Sequence, residues 1–198
     1  MTDTRNTRAD VVQAAGRLFA KQGYHGTSMR DLGRELGLHG SSLYSHVRSK
    51  ADLLVDVVER AADLFEATAA EAVSVDGDSR VRLRALIAGH LDVLLDHVDE
   101  ARTFLNEART LDEPHRSRVL AARDGYEQSF RRVLEQGVAD GTFRPGLDPV
   151  VTGILLLSVL NSVDRWYRSD GRLHREALVD AILDFTLDGI AVPTGVGA

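Results

Sequence analysis

Three groups of side chains in this sequence have the types and spacing to do chemistry. His90 and His97 lie two helical turns apart, close to Asp92, Asp96 and Glu100. Imidazole and carboxylate are zinc ligands, but the compact ligand spacing of a metal site is missing. These residues read as solvated or interface positions, and no metal is expected. Asn161, Asp164, Arg165, Trp166, Tyr167 and Arg168 form a second cluster, which holds the sole tryptophan. Trp166 could stack on an aromatic base or wall an apolar tunnel, and Arg165 could grip a phosphate or carboxylate. A competing reading puts the cluster in a dimer interface, with Arg165 in an intersubunit ion pair. The third group is the polar run between Thr27 and Lys50. No nucleophile elbow, phosphate loop or other catalytic signature occurs, so neither an enzyme nor a cofactor is expected.

The elements that must position these groups are helical almost throughout. Apolar residues recur with a 3.6-residue period and no strand-like alternation stands out. Val11, Val12, Ala15, Leu18 and Phe19 mark one face of a first helix, and Gly23 suits a left-handed cap after it. Ser28 and Asp31 have capping-box spacing for a short second helix that stops at Leu36-Gly37. A third short helix is predicted over Gly40 to Val47. Ser49 then caps a long helix bearing Leu53, Leu54, Val57, Val58, Ala61, Leu64 and Phe65. After a loop at 75–79, Ser79 is expected to cap a helix running to about His97. A shorter helix follows over Asp99 to Thr110, and a long one from Pro114 to near Asp140. Asp148-Pro149 starts a helix to about Arg168 that is apolar almost all round, and so predicted to be buried on several sides. The last helix covers His174 to Ala191. The tail Pro193 to Ala198 is expected to be disordered.

Within 27–47 the register is that of a helix-turn-helix. Leu32 and Leu36 face inward, with Gly33 between them where two helices cross closely. Gly37 sits at the turn, where a positive φ is expected. Leu38 and Leu43 line the inner side of the second, polar helix, which is left free to enter a major groove.

The run T-S-M-R-D-L-G-R-E-L-G-L-H-G-S-S-L-Y-S-H-V-R-S-K-A-D-L-L resembles the DNA-binding domain of TetR-family repressors, and A-A-G-R-L-F-A-K-Q-G-Y-H-G-T resembles its first helix. The resemblance spans about Ala9 to Leu54. It implies that Ser42 and Tyr44 bond phosphates and that Lys50 reaches the DNA backbone. It places Thr27 and Ser28 where the second helix's N-terminus meets a phosphate. Gly40, Ser41, Ser45 and His46 take recognition-helix positions facing base edges or sugars. Arg30 is the candidate for a bidentate guanine contact. The sequence departs from the family at His39, where a capping Ser is common, at Gly40, where a long polar residue often reads a base, and at Val47, where Phe is common. Specificity is therefore expected from Arg30 and DNA shape. The string N-S-V-D-R-W-Y-R-S-D-G is similar to a region of TetR-family regulators of fatty-acid and steroid breakdown. That similarity implies an acyl-coenzyme A effector contacted by Asn161, Arg165 and Trp166.

Charge fits this division. The net charge is −6, yet residues 1–50 hold eight Lys/Arg against four Asp/Glu, while the remainder holds 16 against 26. A phosphate-binding surface needs only local positive charge. The absence of cysteine excludes disulfides and zinc-thiolate sites and fits a reducing cytoplasm. Met1 to Asn6 lacks the apolar run of a secretory signal. The greasiest stretch, Gly153 to Val163, is about half the ~20 residues of a membrane span.

The resulting expectation is an all-α chain of about nine helices. Residues 1–50 form the helix-turn-helix domain, and 51–198 the ligand-binding and dimerisation domain. The expected partners are a palindromic operator in double-stranded DNA, a small-molecule effector, and a second copy bound through the two C-terminal helices. No membrane partner is expected. The competing readings are a ligand-independent architectural DNA-binding protein and a small-molecule carrier or enzyme.

Overall fold

The computed structural model describes residues 7–38 and 40–190. The expectations for Met1 to Asn6, for His39 and for the tail Pro193 to Ala198 fall outside the described residues. Nine α-helices and no strand are found among those described: α1 (Arg8–Gln22), α2 (Met29–Leu36), α3 (Gly40–Tyr44), α4 (Lys50–Ser74), α5 (Ser79–Asp96), α6 (Val98–Glu107), α7 (His115–Ala139), α8 (Pro149–Asn161) and α9 (Arg175–Ile190). Short 3-10 turns follow α6 (Ala108–Thr110) and α8 (Val163–Arg165). The all-α expectation holds.

The chain packs as two compact units. Among the described residues, the first comprises those up to Asp63 with His97–Ala122, and the second Leu64–Asp96 with those from Arg123 onward. In the first, α1 buries Val11, Ala14, Ala15 and Phe19, and it packs on α2 and on α6. Leu53, Leu54, Val57 and Val58 of α4 and Ala101 and Phe104 of α6 complete this core. Burying each such Leu or Phe contributes about 1.5–3 kcal/mol relative to exposure.

In the second unit, Phe65, Leu83, Leu86, Ile87, Leu91, Phe130, Leu134 and Phe143 are buried together with Leu178 and Leu183. Helix α9 packs on α5. Three ion pairs reinforce that contact. Arg175 donates to Asp92 (3.0 Å) and bidentately to Asp96 (2.7 and 2.6 Å), and Arg84 reaches Asp180 at 2.7 Å. These pairs are largely exposed, so each is worth about 1 kcal/mol at most.

Several local expectations are met. Ser28 and Asp31 form a reciprocal capping box on α2. The Ser49 hydroxyl accepts from the Asp52 N–H. Asp148 accepts from the N–H groups of Val150 and Val151, with Pro149 in the first turn of α8.

Others need correction. Gly23 has φ 76 but ψ 162, a positive-φ bend rather than a left-handed helical cap. Helix α3 ends at Tyr44, three residues early. The cap of α5 is Asp78, which accepts from Val81 N–H, because the Ser79 hydroxyl is drawn to Asp140 at 2.8 Å. Helix α8 ends at Asn161 rather than near Arg168. The Ser162 hydroxyl donates to the Val159 carbonyl at 2.7 Å and the chain tightens into the 3-10 turn. Nor is α8 buried on several sides. Val151 is 51% exposed, Ile154 47% and Leu155 62%.

Gly137 shows how tightly the second unit closes. A Cβ there would stand 2.2 Å from the Phe143 ring, and Phe143 N–H donates to the Gly137 carbonyl at 2.8 Å. Gly137→Ala should destabilise the protein by about 1–3 kcal/mol through overpacking. An unchanged melting temperature would contradict this packing.

Candidate nucleic-acid interface and sensor residues

A turn of five residues sets the interface. It joins α1 to α2 through Gly23, Tyr24, His25, Gly26 and Thr27. Thr27 is buried, and its hydroxyl donates to the Gly23 carbonyl at 2.9 Å and accepts from the Gln22 amide at 3.3 Å. That side chain is committed to the fold, and of the Thr27-Ser28 pair only Ser28 is exposed at the start of α2. The Asp31 carboxyl is held below the usual range by the Ser28 hydroxyl and N–H, so the box is ionised and intact at neutral pH.

Gly37 adopts φ 64 and ψ 24, the left-handed conformation the sequence called for. A Cβ at Gly33 would lie 3.0 Å from the Leu38 carbonyl oxygen, so the close approach is to the backbone of the turn. Leu32 and Leu43 are fully buried and Val47 nearly so. These three anchor the inner side of the motif.

Its outer side brings several predicted residues together. Ser28, Arg30 and Tyr44 line one cleft of about 630 Å³, with Gly33 and Leu43 behind them. Arg30 is exposed, and Tyr44 is 56% exposed. A second cleft, of about 410 Å³, is lined by Tyr44, Ser45 and His46 together with Arg8, Arg48, Asp52 and Asp56. Ser42 is exposed, and the Ser45 hydroxyl donates back to the Ser42 carbonyl at 2.7 Å. Gly40 and Ser41 lie in the first turn of α3. Lys50 is turned toward the protein. Its ammonium donates to the carbonyls of Tyr24 (2.9 Å) and Thr27 (2.8 Å) and stands 4.1 Å from the Tyr24 ring centroid.

Two cations at the second cleft escaped the sequence reading. Arg48 is exposed beside His46, within the same L-Y-S-H-V-R-S-K string, so its position alone could have flagged it. Arg8 grips Asp56 bidentately at 3.0 and 2.8 Å, across 48 residues, and no local pattern announces that.

In the second unit the sensor candidates part company. Arg165 and Trp166 are exposed, Trp166 by 53%, which corrects the expectation that they lie on a largely buried helix. Arg165 therefore carries no buried-charge cost. Asn161 points inward instead. Its Oδ1 and the Nε2 of His90 are both buried and neither completes a hydrogen bond, although the Asn161 side chain is near enough to act on the imidazole. His90 Nδ1 bonds the Tyr126 hydroxyl at 3.0 Å, with the Phe65 ring tilted against both and Phe130 edge-on to Tyr126. His90 is thus buried against this aromatic core rather than solvated, and Glu100 is buried as well, while Asp92 and Asp96 hold Arg175.

These features define a helix-turn-helix protein with a second helical unit, and comparison with known proteins gives the class. Residues 11–57 match the model of the bacterial regulatory proteins of the tetR family. Residues 76–190 match the tetracyclin repressor-like C-terminal domain. The chain belongs to the TetR family of transcriptional regulators, which are DNA-binding proteins and not enzymes. It is 27% identical over 187 residues to the HTH-type transcriptional repressor KstR2 of Rhodococcus jostii, covering 94% of this chain and 92% of that one. It superposes on the structure of the ketosteroid transcriptional regulator KstR2 of Mycobacterium tuberculosis with a TM-score of 0.87, 25% identity and 97% of both chains covered. AibR in complex with isovaleryl coenzyme A and operator DNA matches with a TM-score of 0.82 and 26% identity, over 90% of this chain and 96% of that one. No helix among the described residues is long and apolar enough to cross a membrane.

Burial pushes the His90 pKa down to about 3, and the nearby Asn161 side chain only partly opposes the shift. The ring is neutral when folded and free to protonate when unfolded, near the ordinary ~6.5. Between those values the unfolded state binds the extra proton, so stability falls as pH drops. His90→Phe should remove this component. Its melting temperature relative to wild type should rise progressively below pH ~6.5. Parallel pH profiles for the two proteins would refute the buried neutral imidazole.

Proposed function

We propose that this protein is a ligand-released repressor that binds a palindromic operator as a homodimer in the cytoplasm. The observation that carries the DNA half is the convergence of Ser28, Arg30 and Tyr44 on one cleft, backed by the buried Leu32 and Leu43. In this reading residues 1–50 bind DNA. Ser28, Ser42, Tyr44 and Lys50 meet phosphates, which position the protein without reading sequence. Arg30 reads a guanine, while Gly40, Ser41, Ser45 and His46 face base edges or sugars. Thr27 serves by holding the turn.

Residues 51–198 provide dimerisation and sensing in this reading. The exposed apolar face of α8, with Phe185 of α9 72% exposed, supports pairing with a second copy. Two-fold pairing would set the recognition helices roughly 34–36 Å apart, one turn of DNA. For the effector we favour an acyl-coenzyme A ester. Exposed Arg165 and Trp166 suit the phosphates and adenine, and inward-facing Asn161 suits the acyl end. The resemblance to AibR, which is described with isovaleryl coenzyme A, supports this choice. Release follows if the ester binds better to the conformation that fits DNA poorly. A ligand-independent architectural role would predict no thermal shift with any acyl-coenzyme A.

Three substitutions test the proposal. Arg30→Ala should cost ~1–3 kcal/mol on the operator and relax discrimination at one base pair per half-site. Equal losses on operator and random duplex would make Arg30 a phosphate contact instead. Phe185→Asp should yield monomers on sizing chromatography and lose operator binding. Arg165→Ala should stay dimeric and DNA-bound yet resist release by isovaleryl coenzyme A and longer acyl esters. A monomeric, DNA-silent Arg165→Ala protein would place Arg165 in the dimer interface.

A further inference from the structure

The turn between α1 and α2 is held by two side chains from other helices. From α4, the Lys50 ammonium donates to the carbonyls of Tyr24 and Thr27. From α6, Glu107 Oε1 accepts the Tyr24 backbone N–H at 3.2 Å, across 83 residues of sequence. The other carboxylate oxygen accepts the Thr110 hydroxyl at 3.0 Å, which fixes the rotamer of Glu107. Tyr24 is therefore clamped through both of its backbone polar groups, N–H to a carboxylate and C=O to an ammonium. Both are charge-assisted bonds, the stronger class. Three further bonds tie the turn to itself and to α1. Thr27 N–H donates to Tyr24 O, the Thr27 hydroxyl to Gly23 O, and Gly23 N–H to Phe19 O.

We propose that Glu107 is a positioning residue for DNA binding. By fixing Tyr24 it sets one of the two carbonyls that orient Lys50, and through the Thr27 N–H bonded to that carbonyl it bears on the other. An ammonium has three N–H donors. Two are spent on the turn, and the third is what Lys50 can offer a phosphate. The direction of that third donor follows from where the two carbonyls stand, and hence from Glu107. The inference rests on the proposed phosphate role of Lys50. Glu107 itself, as an anion, has no reason to touch DNA.

The test uses the full-length protein with a random-sequence duplex, because a phosphate contact is read equally well without the operator. Glu107→Ala should weaken binding by about ten-fold, the scale of one lost charge-assisted bond. It should also reduce the slope of log affinity against log salt by about one, as loss of one phosphate contact does. Glu107→Gln keeps an acceptor for the Tyr24 N–H and should stay within about two-fold of wild type. In a Lys50→Ala background, Glu107→Ala should add less than about two-fold, since coupled residues are not additive. Melting temperature and sizing chromatography of each variant establish that it is folded and associated as wild type. If Glu107→Ala has wild-type affinity and slope while Lys50→Ala loses both, the positioning role is wrong and the phosphate role stands. If Lys50→Ala loses neither, the phosphate role itself is wrong. A Glu107→Gln protein as weak as Glu107→Ala would also overturn the proposal, because charge rather than the acceptor would be what matters. Amide exchange at Tyr24 gives an independent reading. It should quicken in Glu107→Ala and not in Glu107→Gln, and equal rates in all three proteins would overturn the clamp.

Discussion

A helix of five residues has no stability of its own, since forming the first turn fixes several dihedrals for a single hydrogen bond. Helix α3 is such a helix. Its geometry has to be imposed by what lies behind it, and that is a small set of buried side chains: Leu43 within it, Val47 after it and Leu32 on α2. Gly37 makes the turn possible, and the Gly33 hydrogen position leaves room for the Leu38 carbonyl. The polar residues of α3 proposed to meet DNA hang on this arrangement. The polar face can vary in sequence at little cost to the fold, whereas the apolar face cannot.

The same constraint explains why α1 and α6 matter to a motif made of α2 and α3. Helix α1 gives one face to α2 and another to α6, burying Ala14, Ala15 and Phe19 between them. Hydrophobic contacts of this kind fix distance well and rotation poorly, because they are non-directional. Direction is supplied by hydrogen bonds, and those converge on the α1–α2 turn. Thr27, Lys50 and Glu107 each bond the backbone there. Two residues that a sequence reading assigns to phosphates thus turn out to be structural as well. Their placement leaves Ser28, Arg30 and Tyr44 exposed around the cleft.

What the sequence revealed follows from the range of the interactions involved. The Ser28–Asp31 box, the Ser49 cap and the Asp148-Pro149 start are each decided within four residues, and each was legible. Gly37 was legible because a positive φ has few alternatives among residue types. Ser79 was misread as a cap because its hydroxyl prefers Asp140, which lies 61 residues away. The Arg8–Asp56 pair and the Glu107–Tyr24 bond are likewise non-local, and no spacing rule reaches them. Thr27 is assigned to a phosphate by the resemblance alone. It is buried here because the turn has carbonyls that need a donor. Arg165 and Trp166 were placed on a buried helix by extrapolating α8 past Ser162, where the hydroxyl instead turns back on the Val159 carbonyl.

The second unit has the opposite character. Helix α8 is apolar all round, yet only Gly153, Leu156 and Leu160 are buried on it. Apolar periodicity shows that a face must be covered but not by which chain. An all-round apolar helix of thirteen residues can be the centre of a single core or half of a shared one. The exposure of Ile154, Leu155 and Phe185 favours the shared core. Under the proposed dimer, the folding free energy of this unit includes the association of two chains, so its apparent stability depends on protein concentration. His90, Tyr126 and Asn161 form a polar group in the aromatic interior, tied by the His90–Tyr126 hydrogen bond, with the Asn161 side chain beside the imidazole. Such a bond is directional where the apolar contacts around it are not, so it fixes the rotation of the helices that carry it.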